Sequence, residues 1–310
     1  MINSHVSSFA GLPVLPFTPG MALPDDPSAV AWRLEVEDFE ADPEEFAGLV
    51  AALRAEVPAE AVRALVIGEW GSAYERALPV ELLVEAAPEW TGLRGVFLAD
   101  LVAEQCEISW LTLPDITPLL AACPTLGVLW VRGGQGLRLE PVRHPGLREL
   151  RFEAGGLPAA VVRAVGESDL PALERLDLWL GTSEYGGDAG VDDLAAVLSG
   201  AGQPALRHLA LANAEIADEV AAAVAAAPVV PRLAVLDLSM GTLTDAGGAA
   251  LLAGQPLTHL TRLDLHHHYL SEEMAARLVD ALPGVRVDVS DPQEADEYDG
   301  KPYRYTAVAE

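Results

Sequence analysis

A short phrase, Leu-x-x-Leu-x-Leu, recurs down the chain and constrains its fold more than any other feature. It reads Leu173-Leu176-Leu178, Leu206-Leu209-Leu211, Leu233-Leu236-Leu238 and Leu260-Leu263-Leu265, with first leucines 33, 27 and 27 residues apart. Degenerate copies precede it at Val62-Leu65-Ile67, Leu93-Val96-Leu98, Leu126-Leu129-Val131 and Leu147-Leu150-Phe152, and Val285-Val287-Val289 follows. The phrase alternates apolar residues at strand period, and its interval lies near the upper end of the roughly 20–29 residues of a leucine-rich repeat. Between phrases the period becomes helical, over Ile216–Ala227, Leu243–Ala253 and Leu270–Leu282. Each stretch carries an acid in its first turn, suited to the positive end of the helix dipole, and stops at Pro228, Gly254 or Pro283-Gly284. Thr244 and Ser271 are the expected N-caps. Strand and helix in alternation predict an α/β leucine-rich-repeat solenoid, with a curved parallel sheet on the concave face and helices on the convex face.

Two stretches, Leu236-Asp237-Leu238 through Leu243-Thr244-Asp245 and Leu263-Asp264-Leu265 through Leu270-Ser271-Glu272, resemble the ribonuclease-inhibitor-like class of leucine-rich repeat. That resemblance implies one inner strand and one outer helix per unit. Trp179-Leu180-Gly181-Thr182 with Glu184-Tyr185-Gly186-Gly187-Asp188, and the stretch from Leu263 to Tyr269, are similar to a bacterial leucine-rich-repeat family often encoded beside radical-SAM enzymes. This second likeness spans nearly the whole chain and implies a pathway setting, including delivery of a substrate peptide to a tailoring enzyme, but no activity. The chain departs from the pattern in places. The asparagine that ladders the turn after each strand stands only at Asn213, with Met240 and His267-His268 in its place elsewhere. Gly133-Gly134-Gln135-Gly136 leaves almost no room for a helix in its unit.

The pattern divides the chain into an N-terminal cap over 1–60, repeats over 61–290 and an acidic tail over 291–310. The cap has a strand at Trp32–Val36 and a helix at Pro43–Glu56, and covers the apolar side that an end repeat would expose. The tail, without periodicity, is expected to be loosely held, with Tyr298, Tyr303 and Tyr305 able to fold back on the last repeat.

Charge narrows the partners. Among 310 residues, 19 Lys+Arg face 47 Asp+Glu, a formal net charge of −28 that repels phosphate backbones and anionic lipid and favours a protein or peptide with a basic surface. Nucleic acid and membrane are the partners least expected. Cys106 and Cys123 are too few for a disulfide framework and fit no metal spacing. The start, Met1-Ile2-Asn3-Ser4-His5, lacks the features of a secretory signal, and the run Val220–Val230 is far short of the roughly 20 residues that span a bilayer. A cytoplasmic protein is the expectation; oligomeric state is not readable.

Residues between the leucines of such a solenoid point to the concave face, so equivalent positions stack into columns. One column reads Phe97, Trp130, Arg151, Asp177, Ala210, Asp237, Asp264; the next reads Ala99, Arg132, Glu153, Trp179, Ala212, Ser239, His266. They predict an aromatic and arginine patch toward the N-terminal half and an acidic, histidine-bearing patch toward the other. Trp130 and Trp179 are then either interface anchors or covered by an adjacent loop. The strand-to-helix loops make a second surface, a rim carrying Trp70, Trp110, Glu184 and Tyr185, whose loops share one edge and can converge on a pocket. There Trp70 and Trp110 are either contact residues or plugs that stabilise their own loops.

The run His266-His267-His268 raises a second possibility. Alternation would place Asp264, His266 and His268 on one side with Asp237 beside them, a donor set for zinc or iron, unless the strand ends near Leu265 and turns His268 elsewhere. No Gly-x-Ser-x-Gly elbow, Walker loop or His-Glu-x-x-His helix occurs, and the Gly133 cluster lacks the lysine of a phosphate cradle. The expectation is therefore a non-catalytic binding scaffold without cofactor, set against a metal-binding protein or metal-dependent enzyme using Asp237, Asp264, His266 and His268.

Overall fold

The computed structural model describes residues 2–298 and 300–310. Twelve strands form one sheet in strict sequence order: β1 (Ser8–Phe9), β2 (Leu12–Pro16), β3 (Ala31–Leu34), β4 (Ala64–Ile67), β5 (Gly95–Leu98), β6 (Val128–Arg132), β7 (Glu149–Glu153), β8 (Arg175–Gly181), β9 (His208–Ala214), β10 (Val235–Asp237), β11 (Arg262–Asp264) and β12 (Arg286–Asp288). From β2 to β12 every pairing is parallel. A leucine of each phrase pairs with a leucine of the next, as in Leu176↔Leu209 and Leu236↔Leu263. A parallel sheet in sequence order with one apolar face toward its helices is the predicted leucine-rich-repeat-like solenoid.

The helices are α1 (Pro43–Glu56), α2 (Val80–Ala86), α3 (Thr117–Ala122), α4 (Ala159–Glu167), α5 (Ala195–Ser199), α6 (Ala217–Val224), α7 (Asp245–Ala253) and α8 (Glu272–Ala281). Asp42 closes a capping box on α1, and the Thr244 and Ser271 hydroxyls accept from backbone N–H groups of Ala246 and Met274 at the starts of α7 and α8. Between β6 and β7 there is no helix: after Gly133, isolated bridges tie Gln135 to Thr112 and Arg138 to Asp115. None of the helices is long and apolar enough to cross a membrane among the described residues.

The turn out of the late strands repeats one backbone device. Asn213, Met240, His267 and Asp291 all take left-handed φ values, 55°, 67°, 56° and 58°. Asparagine and aspartate tolerate this region, whereas Met240 and His267 pay about 1 kcal/mol or more each for standing in their place. A continuous core runs from Phe17 to Leu282 between sheet and helices, with Val308 joining it.

Two chain ends depart from expectation. The sheet does not begin at Trp32: β2 adds a parallel strand outside β3, and the β1–β2 hairpin folds back antiparallel. Phe9 of that hairpin then packs on the concave side, in a separate cluster with Ala31, Ala64, Val66 and Phe97. The tail is not loose. It forms a hairpin, β13 (Asp296–Tyr298) and β14 (Lys301–Tyr303), and its last residues are seated on the rim. The Tyr298 side chain, expected to fold back, lies outside the described residues.

Candidate partner-binding surfaces

Register places the predicted column as written: Phe97, Trp130, Arg151, Asp177, Ala210, Asp237 and Asp264 are neighbours across successive strands, and Asp288 extends it. Its N-terminal half is not open. Phe9 meets Trp130 edge to face at 5.3 Å and Phe97 at 5.8 Å. The Arg151 guanidinium lies 4.9 Å from the Trp130 ring centre and 5.4 Å from that of Trp179. The Trp130 indole N–H also donates to Glu149 at 2.8 Å, and Trp179 is buried. Trp179 is thus covered and Trp130 half-covered, by Arg151 and the N-terminal arm rather than by an adjacent loop. An aromatic ring on a sheet face loses its water to whatever apolar group can reach it, and here the N-terminal arm and Arg151 reach first.

The charged residues of the concave face form a ladder of alternating sign. Asp100, fully buried, pairs with Arg33 at 2.5 Å and Arg132 at 3.0 Å. Arg132 continues to Glu153 at 2.7 Å, Arg151 links Glu153 at 3.0 Å to Asp177 at 3.6 Å, and Asp177 also meets Arg175 and His208. Arg132, Arg151 and Asp177, expected as partner contacts, are thus engaged within the chain. Burial opposes the Asp177 charge, but His208 and the nearby Arg175 and Arg151 outweigh it and hold the carboxyl below the ordinary range. Further on, Asp264 accepts from Arg262 at 2.5 Å and His266 at 2.9 Å, and Arg262 reaches Asp288 at 3.2 Å. The hydrogen bond to Asp264 raises the His266 pKa.

Asp237 breaks the alternation. Ala210 stands where a cation would serve it, and its carboxylate accepts from the Ser239 N–H at 3.0 Å, with no cation at ion-pair distance among the described residues. Burial, and then the charges of Asp264 and Asp177, raise its pKa despite the Ser239 bonds. A carboxyl whose folded pKa is raised costs stability as pH climbs from the unfolded value through the folded one, and the cost is complete above both. Asp237→Asn is therefore expected to raise the melting temperature at pH 7 by a few degrees, with the gain over wild type vanishing below the unfolded aspartate value. Melting curves across this range check it; an unchanged or lower melting temperature at pH 7 contradicts it.

The three histidines diverge. His266 points to the concave side at Asp264, whereas left-handed His267 turns its ring toward Asp291 and the Tyr305 carbonyl, at 3.2 and 3.3 Å. His268 is buried: its Nδ1 accepts from the Leu270 N–H at 3.1 Å and its Nε2 donates to the Val289 carbonyl at 3.1 Å. Of the two arrangements the sequence left open, this is the one in which the strand ends near Leu265 and His268 turns elsewhere, so the donor set of Asp264, His266 and His268 on one side does not form. The strand stops at Asp264, and the turn at His267 spends both His268 nitrogens on backbone. Among the described residues, no group of three or more His, Cys, Asp or Glu side chains is placed to hold a metal ion.

The rim is where the surface opens. Trp70 is a plug: it is buried, its indole donates to the Arg76 carbonyl at 2.9 Å, and a single Glu69 oxygen gathers the N–H groups of Trp70, Gly71 and Ala73. Trp110 is the opposite case, 54% exposed. Ser109 and Trp110 converge with Glu184, Tyr185 and Gly186 on a cavity of about 410 Å³ floored by Gly134, Gly136 and Gly156. The loop of Trp70 takes no part in it. Gly134, Gln135 and Gly136 of the glycine cluster, which lacks the lysine of a phosphate cradle, line this cavity. A second cavity of about 340 Å³ shares Glu184 and Tyr185 and adds Glu107, Glu215 and the C-terminal residues.

The C-terminal segment was missing from the predicted surface. From Tyr305, whose N–H donates to the Tyr269 hydroxyl, it runs back over the strand exits. Ala307 N–H donates to the Met240 carbonyl at 2.8 Å. The Asn213 amide holds Val308 twice, Oδ1 accepting from its N–H at 2.9 Å and Nδ2 donating to its carbonyl. The Ser109 hydroxyl donates to the Ala309 carbonyl, and the Tyr185 hydroxyl to the Glu310 carboxylate, which pushes the Tyr185 pKa up to about 12. Two sequence signals bear on this seat: the asparagine kept from the ladder, Asn213, and the tail tyrosines able to fold back, of which Tyr305 meets His267 and Tyr269.

Solved structures place this architecture among known ones. A Bacteroides fragilis protein solved by the Northeast Structural Genomics Consortium is 30% identical over 89% of this chain and 76% of its own, with a TM-score of 0.78. A TLR13–ssRNA13 complex is 14% identical over 80% of this chain and 36% of the other, with a TM-score of 0.37. No protein-family model and no curated protein matches the chain.

Proposed function

The chain belongs to the same family as this Bacteroides fragilis protein, and we propose that it is a non-catalytic scaffold that grips a basic protein or peptide segment at its rim. One observation carries the reading: the rim already holds an extended polypeptide by its backbone, the chain's own C-terminal segment, beside an open cavity. Trp110 stands exposed at that cavity with Tyr185 and Glu184, the aromatic and acidic groups that receive an arginine or lysine side chain. The net charge of −28 favours encounter with such a partner. The concave face contributes less, because its aromatics and most of its charges are engaged internally. Cys106 and Cys123 remain thiols, their pKa values pushed by burial up to about 11, in keeping with a cytoplasmic setting.

Extended peptides alternating arginine with small residues, titrated into the full-length protein, test this. Binding is expected to weaken with added salt and to fall about tenfold in Trp110→Ala, since loss of an exposed aromatic anchor costs roughly 1–2 kcal/mol, while the melting temperature stays unchanged. Equal binding of acidic peptides, or indifference to Trp110→Ala, contradicts the reading.

A further inference from the structure

The seat of the C-terminal segment is built like a recognition groove. Asn213 contacts both the N–H and the carbonyl of a single residue, Val308, so it reads backbone irrespective of side chain. Side chains alternate over Tyr305–Ala309 as in a bound strand: Thr306 and Val308 are sunk, 7% and 5% exposed, whereas Tyr305 is exposed and Ala307 and Ala309 are half-buried; Glu310 ends the run exposed. Gly155 leaves the path clear, since a Cβ there would stand 2.1 Å from the Ala309 carbonyl oxygen.

The segment is also poorly matched to this place. Its lead-in, Pro302–Tyr305, is exposed, and among the described residues the β13–β14 hairpin pairs with no other strand. At its far end Glu310 shares a cavity with Glu107, Glu184 and Glu215, a carboxylate among carboxylates, held there by the Tyr185 hydroxyl. Every backbone bond the segment makes is one that any extended peptide can repeat, so exchange costs little in hydrogen bonds. A cation in place of the Glu310 carboxylate would turn repulsion into attraction.

Resting on the rim reading above, we propose that residues 304–310 are an internal stand-in for the partner. The partner docks as an extended segment in the Asn213 groove, with a small β-branched residue where Val308 lies and a basic residue where Glu310 lies, and displaces the tail. The partner's chemistry is thereby specified: backbone to Asn213, a small apolar side chain to the core, and a positive charge to Glu107, Glu184 and Glu215.

Two labelled peptides test the proposal, one with the sequence Arg304–Glu310 and one identical except for Glu310→Arg, titrated into full-length protein. Wild type is expected to bind the first weakly, because its own tail competes, and the second about tenfold more tightly at low salt. Val308→Lys, which expels the tail, is expected to bind both more tightly than wild type does. Adding Asn213→Asp or Gly155→Ala to it should remove at least about tenfold of that affinity. Should Val308→Lys fail to fold, amide exchange in wild type answers instead: saturation with the Glu310→Arg peptide should deprotect the chain's own Ala307 and Val308. Equal affinity for the two peptides, or binding indifferent to Asn213 and Gly155, overturns the proposal. Arginine-rich peptides that bind through Trp110 while neither tail peptide binds overturn the stand-in and leave the rim reading standing.

Discussion

Asp100→Asn is expected to lower the unfolding free energy by about 3 kcal/mol. The Asp100 carboxylate is fully buried, takes the guanidinium groups of Arg33 and Arg132 at 2.5 and 3.0 Å, and accepts from the Val6 N–H at 3.2 Å. An amide of the same shape removes the charge but leaves two buried cations. Arg132 keeps Glu153 at 2.7 Å and Arg33 keeps a partly exposed Glu35 at 2.7 Å, so the loss lies at the low end for a broken buried pair. Denaturant unfolding measures it, and a change below about 1 kcal/mol, the range of an exposed ion pair, contradicts the burial on which it rests. The N-terminal arm should loosen as well, because His5 and Val6 are tied to the same aspartate.

Phe9→Ala tests what closes the concave face. Phe9 is almost wholly buried between Phe97 and Trp130, and truncating a buried phenylalanine costs about 3–5 kcal/mol where the structure must stay together around the gap. An arm held by one two-residue pairing and a few contacts to Asp100 has another course. It can lift away, so the global loss is limited to the free energy with which residues 2–12 dock. The expected result is fast amide exchange across the arm and a red-shifted Trp130 emission, with the melting temperature falling by less than a core phenylalanine of the repeats would cause. An arm still protected in Phe9→Ala contradicts this account.

These two predictions concern parts of the molecule that were differently legible. The repeats could be read because their signal is local: Leu233-Leu236-Leu238 and Leu260-Leu263-Leu265 each declare a strand within six residues. The helices after them could be read for the same reason, from Thr244 and Ser271. Phe9 could not be placed, because Ser7-Ser8-Phe9 is too short to show a period and its partners lie far along the chain. The column from Phe97 to Asp264 follows from alternation, but alternation says which way a side chain points and not what arrives to cover it. Whether Trp130 and Trp179 were anchors or covered therefore stayed undecided until Arg151 and the arm were seen against them. At the rim, Trp70 and Trp110 look alike in sequence. One is folded under by the Glu69-centred turn and the other is left outside, a difference set by loop geometry. The tail misled through its composition: acids, proline and glycine suggest mobility, yet Thr306 and Val308 are buried while Asn213, Met240, Ser109 and Tyr269 supply contacts to its backbone.

The central claim is that the rim, rather than the hollow of the solenoid, is where this protein takes hold of a partner. A photo-crosslinking residue at Trp110, and in a second protein at His266 on the concave face, tests it directly with an arginine-containing extended peptide. Crosslinking from position 110, suppressed by salt, with none from position 266, is the predicted result; crosslinking from 266 with none from 110 would contradict it.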